Sequence, residues 1–173
     1  MNKILTKNLS KQNILIDNHG RTINYLRLSV TDRCNYRCTY CMPEKMKFLP
    51  KKDLLTFEEM DHLCSLFISR GIKNIRLSGG EPLVRKGIFK FISNLSRYIS
   101  NGDIDEITLT TNGSQLKSFS DDLFQSGVRR INVSLDSLSE EKFNQITRRD
   151  DLNNVIDGLE AAKKAGLKIK INT

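Results

Sequence analysis

The sequence predicts an α/β protein, a parallel β/α repeat that forms about four and a half units of a barrel. Strand-like and helix-like stretches alternate with roughly 25 to 30 residues per unit, which favours parallel strands joined by crossover helices. Four of the five predicted strands end in polar or glycine-bearing clusters, as strands do at the functional edge of such folds. A complete barrel needs about 200 to 400 residues. We therefore expect the 173 residues to form an open partial sheet or a barrel truncated in mid-fold, and a strand-like segment directly before Thr173 favours truncation.

The first unit contains most of the cysteines. Apolar and polar residues alternate over residues 25–30, a pattern that predicts a strand. A polar loop follows this strand at its carboxyl end. The loop holds Cys34, Cys38 and Cys41.

The later units continue the alternation. Thr56 and Glu59 predict a capping box for a helix that ends at Gly71. Apolar periodicity and glycine stops predict the other elements. Strands are expected at 74–77, 106–110, 130–135 and 168–172, and helices at 88–99, 120–126, 140–146 and 152–164. Residues 148–151 are interpreted as a solvated helix N-terminus without a catalytic role.

Composition and charge narrow the function classes. With 38% hydrophobic residues and no apolar run near the ~20 residues of a membrane span, we expect a soluble chain without a membrane partner. Residues 1–21 form a polar leader without a secretory signal, which predicts a cytoplasmic protein. The net charge of +8 arises in the first hundred residues. Its cations are scattered without aromatic interleaving, so we expect no nucleic-acid partner, and a small phosphorylated ligand fits the charge.

The cysteine spacing is the strongest indication of chemistry. Three of the four cysteines fall within eight residues, which favours a metal centre over disulfides. Thiolates that converge on one centre select zinc or iron-sulfur clusters, and three ligands leave one coordination position open. A zinc site needs a fourth ligand. The candidates are poor, because Cys64 lies on the apolar face of a predicted helix, and His19 and His62 lack ligand spacing. A zinc site completed by Cys64, or cysteines that are only core residues, remain alternatives.

The residues around these cysteines carry a family resemblance. Residues 26–43, LRLSVTDRCNYRCTYCMP, resemble the signature of the radical S-adenosylmethionine (radical SAM) superfamily. The flanking Arg27, Thr31, Asp32 and Met42-Pro43 are similar to the GTP 3′,8-cyclase family of molybdenum cofactor biosynthesis. Four later segments agree in order: RLSGGEPL at 76–83, TTNG at 110–113, NVSLDS at 132–137 and KIKIN at 168–172.

The resemblance covers about residues 22–173 and implies the N-terminal portion of a radical SAM TIM-type barrel, incomplete at its C-terminus. Family members carry a second three-cysteine cluster, which contacts the guanine, and a terminal Gly-Gly near their C-termini. Neither is present here, since Cys64 is the one cysteine outside the first cluster.

The resemblance also implies the cofactors and their contacts. It implies a 4Fe-4S cluster whose fourth iron is chelated by S-adenosylmethionine, and one-electron reduction that cleaves this cofactor to a 5′-deoxyadenosyl radical. The cluster ligands would be Cys34, Cys38 and Cys41, and the S-adenosylmethionine contacts Tyr40, Gly80 and Ser134. Read without the family, Gly79-Gly80 is more often a turn, although two glycines let a backbone approach a ligand with its N–H and C=O groups free.

For the substrate, the resemblance implies GTP contacts by Arg27, Arg76, Thr110 and Lys170. An arginine within a strand requires a buried anion, a carboxylate partner, or an outward orientation. Lys168 and Lys170 also alternate with apolar residues, as the residues on the polar face of any strand do. A triphosphate would supply the anion in the first case.

The activity implied by the resemblance is that of a lyase. The radical abstracts hydrogen from ribose C3′ of GTP, and attack on purine C8 gives (8S)-3′,8-cyclo-7,8-dihydroguanosine 5′-triphosphate. Implied partners are a reducing protein such as flavodoxin or ferredoxin and a downstream pterin-forming enzyme, and a homodimer is compatible. Two alternatives stay open: an inactive fragment that binds only the cluster and S-adenosylmethionine, and a radical SAM enzyme acting on another substrate such as a peptide.

Overall fold

Within residues 14–173, the chain folds around one five-stranded parallel sheet. The computed structural model describes residues 14–173. The strands lie in chain order, and every neighbouring pair is parallel. They are β1 (Tyr25–Ser29), β2 (Asn74–Ser78), β3 (Glu106–Thr111), β4 (Arg130–Ser134) and β5 (Lys168–Asn172). In the described chain β1 and β5 are the edges, so the sheet is open, and the predicted partial β/α repeat is confirmed.

In the described part of the chain, five α-helices connect or follow these strands. They are α1 (Phe57–Ser69), α2 (Ile88–Ser100), α3 (Leu116–Gln125), α4 (Glu140–Thr147) and α5 (Leu152–Lys164). The described residues also contain two short 3₁₀ turns, Lys51–Asp53 and Pro82–Val84, which were not predicted. The capping box of α1 is confirmed, since Thr56 Oγ1 accepts from the Glu59 N–H and Glu59 Oε2 accepts from the Thr56 N–H.

Helix α3 begins four residues before its predicted start. Its N-cap, Gln115, makes no side-chain capping bond, so no capping residue marks the start in the sequence. The helix instead begins from a glycine turn, where Gly113 has a φ of 83° and its carbonyl accepts from the Leu116 N–H. Leu116 is fully buried, and its packing explains why the helix extends back to this point.

The two faces of the sheet differ sharply in polarity. Because side chains alternate along a strand, one face carries the apolar residues that form the core with the helices. Ile75, Leu77, Ile107 and Leu109 belong to it and are all buried. The opposite face is polar on every strand. Its residues include Arg27, Ser29, Arg76, Ser78, Thr108, Thr110, Arg130, Asn132, Ser134, Lys168 and Lys170.

The described part of the predicted polar leader packs against the end of α1. The Leu15 N–H donates to the carbonyl of Arg70, and an isolated bridge pairs Ile16 with Thr22. Residues 1–13 of the leader lie outside the described residues. The division into a leader and a core at residue 22 stays a prediction. Among the helices of residues 14–173, none has the length and apolar character to cross a membrane.

Candidate cluster and nucleotide site

The loop that follows β1 holds the three clustered cysteines. Cys34 and Cys38 are half-buried, whereas Cys41 is exposed. A tight turn places the last two close in space, because the Cys38 carbonyl accepts from the Cys41 N–H at 2.9 Å. The N–H of Arg37 donates to the Thr147 carbonyl at the end of α4. The loop is therefore fixed at its centre by backbone bonds.

The thiols influence one another electrostatically. Burial is the main cause that raises the pKa of Cys34, and the Tyr36 N–H, 3.4 Å from its sulfur, opposes this. The pKa of Cys38 is raised first by burial and then by the charges of Cys34, Asp136 and Cys41. Three soft thiols that share one electrostatic site are a donor set that suits an iron-sulfur cluster.

The three thiols are not arranged as ligands around a single metal ion. Within residues 14–173, no three His, Cys, Asp or Glu side chains are arranged as ligands of one metal ion. The Cys34 sulfur faces the Tyr36 N–H and the Asn112 amide, while Cys41 is open to solvent. Cys64 is fully buried in the core, as predicted, and belongs to α1.

Gly80 brings the loop after β2 against the cysteine loop. The Gly80 N–H donates to the Thr31 carbonyl at 2.7 Å, and the Glu81 N–H donates to the Arg33 carbonyl at 2.8 Å. A Cβ on Gly80 would lie 2.2 Å from the Arg33 carbonyl oxygen, so only glycine fits. The expectation that its N–H stays free for a ligand was wrong, because the cysteine loop itself takes that N–H.

Glu81 is the most deeply buried acid at the site, with no exposed surface. Its Oε1 accepts from Leu83 N and Thr111 Oγ1, and its Oε2 accepts from Asn112 N at 2.7 Å. Burial raises the pKa of Glu81 to about 7, although these three donors act in the opposite direction. Glu81 therefore ties the loop after β2 to the loop after β3.

Arg27 and Arg76 occupy the same level of the polar face as register partners. Arg27 Nε donates to Ser78 Oγ at 3.0 Å, and Arg76 Nε donates to Thr108 Oγ1 at 3.4 Å. The Arg76 guanidinium also lies 5.3 Å from the Tyr25 ring centre. Both arginine side chains lie on the polar face of the sheet, where their bonding partners are hydroxyls and not carboxylates.

The other predicted contacts lie farther along this face. Thr110 and Lys170 flank Asn132 as register neighbours, and Ser134 lies one level nearer the loops beside Asn172. Tyr40 is exposed on the cysteine loop, and its hydroxyl donates to Asp136 Oδ2 at 2.9 Å. The structure thus brings Arg27 and Arg76 together on β1 and β2, at one edge of the face, whereas Thr110, Ser134 and Lys170 lie on β3, β4 and β5.

Several polar residues at the site were missed by sequence reasoning. Residues 148–151 were expected to be solvated, but Arg149 Nε donates to the Asn35 carbonyl and Tyr36 donates to Asp151 at 2.6 Å. Asn132 is 2% exposed, and its Oδ1 has no partner within the described chain. These contacts join residues distant in sequence, so no local pattern indicates them.

The fold and the cysteine loop define a class of protein. The family model of the Radical SAM superfamily matches residues 28–173, which hold the five strands from within β1 onward and the three clustered cysteines, and the chain belongs to this family. It is similar to the GTP 3′,8-cyclase of Brucella ovis, 62% identical over 158 residues, with 91% of this chain and 46% of the relative covered.

A second relative of the same name has a similar identity and coverage. The GTP 3′,8-cyclase of Agrobacterium fabrum is 59% identical over 170 residues, which cover 98% of this chain and 48% of the relative. The chain thus spans about half the length of the curated relatives it matches.

Solved structures share the fold. The structure of anSMEcpe with bound AdoMet has a TM-score of 0.68 at 21% identity, covering 85% of this chain and 41% of that one. The Streptococcus suis SuiB structure bound to the precursor peptide SuiA has a TM-score of 0.72 at 18% identity, covering 94% and 34%. At these identities the likeness concerns the fold alone.

Proposed function

We propose that this chain is the cluster-binding and nucleotide-binding part of a GTP 3′,8-cyclase of molybdenum cofactor biosynthesis, which converts GTP to (8S)-3′,8-cyclo-7,8-dihydroguanosine 5′-triphosphate. The pairing of Arg27 with Arg76 on the polar face carries the proposal, because two adjacent guanidinium groups favour a polyanion. The similarity to relatives named GTP 3′,8-cyclase supports the choice of GTP.

Cys34, Cys38 and Cys41 would hold a 4Fe-4S cluster. When bound, this cluster supplies the electron that cleaves S-adenosylmethionine to a 5′-deoxyadenosyl radical. The residues of the chain hold the loop in place: the backbones of Gly80 and Glu81 pair with the cysteine loop, and α4 fixes its centre.

We assign S-adenosylmethionine contacts to Tyr40, Gly80 and Ser134. Because the Gly80 N–H is already bonded, its carbonyl is the group that remains for a ligand. Tyr40 and Ser134 lie toward the loops at the carboxyl ends of the strands, where ligands bind in parallel α/β folds.

For GTP, Arg27 and Arg76 would bind the triphosphate, and Thr110 on β3 and Lys170 on β5 would bind GTP farther along the same face. Each guanidinium is oriented by a hydroxyl bonded to its Nε, which leaves its terminal nitrogens for phosphate oxygens. Substrate binding would thus use one continuous polar face.

The electron would come from an acidic reducing protein such as flavodoxin or ferredoxin. A pocket of about 380 Å³ opens beside the cysteine loop and is lined by Arg33, Lys51, Arg85 and Lys86, and none of the described residues that line it is acidic. Arg33 precedes the cluster ligand Cys34, so a partner docked here lies near the cluster. Complementary charge favours such an encounter.

The remaining assignments follow the resemblance. A downstream pterin-forming enzyme would consume the cyclised product, and a homodimer is compatible with the open sheet edges. Thiols that serve as cluster ligands require a reducing compartment, which favours the cytoplasm.

Anaerobic reconstitution of the chain tests the proposal. We expect one four-iron cluster per chain, GTP binding, and 5′-deoxyadenosine from S-adenosylmethionine after reduction. Cyclised GTP is not expected from the chain alone. In the family a second three-cysteine cluster contacts the guanine, and the one remaining cysteine of this chain, Cys64, is buried in the core. A cluster with 5′-deoxyadenosine but no GTP binding would favour a module that binds only the cluster and S-adenosylmethionine. Stoichiometric zinc that survives Cys38→Ala would contradict the proposal altogether.

A further inference from the structure

We infer that Asn112 is a positioning residue for the Cys34 thiolate, whose side-chain amide donates to the sulfur and thereby raises the reduction potential of the cluster and slows its loss. The inference rests on the proposed function, since it takes Cys34 as a cluster ligand. It concerns a residue of the loop after β3, distant in sequence from the cysteines.

The orientation of the Asn112 amide is determined by its neighbours. Its Oδ1 accepts from the N–H and the hydroxyl of Ser114, at 3.0 and 2.7 Å. Its Nδ2 therefore faces the other way, 2.9 Å from Asn35 Oδ1 and 3.7 Å from Cys34 Sγ. Asn35 Nδ2 in turn donates to Ser114 Oγ at 2.8 Å. A flipped amide would lose the bond from the Ser114 N–H and set the Asn112 oxygen against Asn35 Oδ1.

The backbone of Asn112 is fixed as firmly as its side chain. The buried Glu81 accepts from the Asn112 N–H at 2.7 Å and from the Thr111 hydroxyl at 2.8 Å. The same hydroxyl accepts from the Gly113 N–H at 3.1 Å, and Gly113 has a φ of 83°. Asn112 is thus held from both sides, and its amide cannot follow the sulfur if the thiolate moves.

Such a donor has two physical effects on a cluster ligand. A hydrogen bond to a ligand sulfur stabilises the more negative reduced state, which raises the reduction potential. It also holds the thiolate in place, and removal of outer-shell partners typically costs about 10- to 100-fold in metal affinity. Because the amide is neutral, neither effect depends on the titration of Asn112.

Three substitutions test the inference on the anaerobically reconstituted protein. Asn112→Ala removes the donor, Asn112→Ser keeps a shorter donor, and Asn112→Asp turns a carboxylate toward the sulfur. The matched control is Asn144→Ala, an exposed asparagine on α4. The measurements are the midpoint potential by mediated titration with electron paramagnetic resonance, and the rate of iron release to a chelator.

For Asn112→Ala we expect a lower midpoint potential and at least about 10-fold faster iron release than in the wild type. Asn112→Asp should lower the potential further, and Asn112→Ser should have a potential between those of the wild type and Asn112→Ala. Asn144→Ala should match the wild type. If Asn112→Ala does not fold, the midpoint potentials of Asn112→Ser and Asn112→Asp test the inference in its place. Unchanged potential and iron release in the folded variants would overturn the inference and leave the proposed function intact. A wild-type chain that binds no four-iron cluster would overturn the proposed function itself.

Discussion

Arg27 and Arg76 lie directly opposite each other on β1 and β2, on the polar face of the sheet. Like charges in opposite register destabilise a sheet. Within residues 14–173, neither guanidinium takes part in a salt bridge, and the bonds to Ser78 and Thr108 orient the charges without neutralising them. An arrangement of this kind is unfavourable alone and favourable with a polyanion bound.

Replacement of either arginine should therefore weaken GTP binding. A hydrogen bond to a charged group contributes about 1.5 to 3 kcal/mol, so Arg27→Ala or Arg76→Ala should raise the Kd for GTP roughly 10- to 100-fold. The loss should shrink at high salt, because screening weakens the contacts in the wild type. Equilibrium binding with the control Lys163→Ala on α5 measures this. An unchanged Kd in both arginine variants would remove these residues from the GTP site.

Cys38 and Cys64 offer a matched pair for the metal centre. Cys38→Ala should abolish the cluster, since two thiols remain in the loop, whereas Cys64→Ala should retain it at a modest cost in core packing. Iron and sulfide content and the visible absorption of the reconstituted protein measure the difference. Loss of metal with Cys64→Ala and its retention with Cys38→Ala would indicate a zinc site instead.

Gly80 tests the contact between two loops. In Gly80→Ala the new Cβ would lie 2.2 Å from the Arg33 carbonyl, and backbone must move because no flexible side chain can yield. We expect destabilisation of more than about 1 kcal/mol and a lower cluster content, because the displaced segment precedes Cys34. Gly102→Asn is the control, since this glycine meets nothing within 4 Å and asparagine tolerates its φ of 75°. Equal cluster content and unfolding midpoints in the two variants would show that the loops adjust freely.

The sequence predicted the elements better than the contacts between them. Strand bounds agree within one residue, because alternation, the Thr56 cap and the glycine stops are local features. The start of α3 was missed because a glycine turn, and no capping side chain, begins it. The bonds of Glu81 to Asn112 and of Tyr36 to Asp151 join residues 31 and 115 positions apart. Such contacts depend on strand order and register, so local patterns cannot indicate them.

The cationic pocket beside the cysteine loop predicts how the reductant docks. Lys51→Glu and Lys86→Glu each reverse a charge on its lining and should slow reduction by an acidic flavodoxin several-fold at low salt. Reduction by dithionite should stay the same, because a small reductant needs no docking surface. Lys164→Glu on α5 is the control with the same change of net charge. Stopped-flow absorbance measures the rates, and an equal effect of all three variants would show that net charge alone is responsible.

The buried Glu81 predicts a pH dependence of stability. Its pKa in the fold is about 7, above its ordinary value of 4.5, because burial disfavours the charged form. The folded protein therefore binds this proton more tightly than the unfolded chain. The stabilisation that this bound proton provides is complete below pH 4.5. It is lost as the pH rises from 4.5 to 7, and the free energy of unfolding falls by about 3 kcal/mol over this range.

Glu81→Gln should flatten the pH dependence of stability between pH 4.5 and 7, since the amide does not titrate. The variant should also be less stable at low pH, because an amide nitrogen in place of Oε2 would face the Asn112 N–H. Urea unfolding midpoints at fixed ionic strength measure both effects, and Glu58→Gln on the exposed side of α1 controls for the removal of one carboxyl. A fall in stability between pH 4.5 and 7 that is as steep in Glu81→Gln as in Glu58→Gln would assign the pH dependence to other groups.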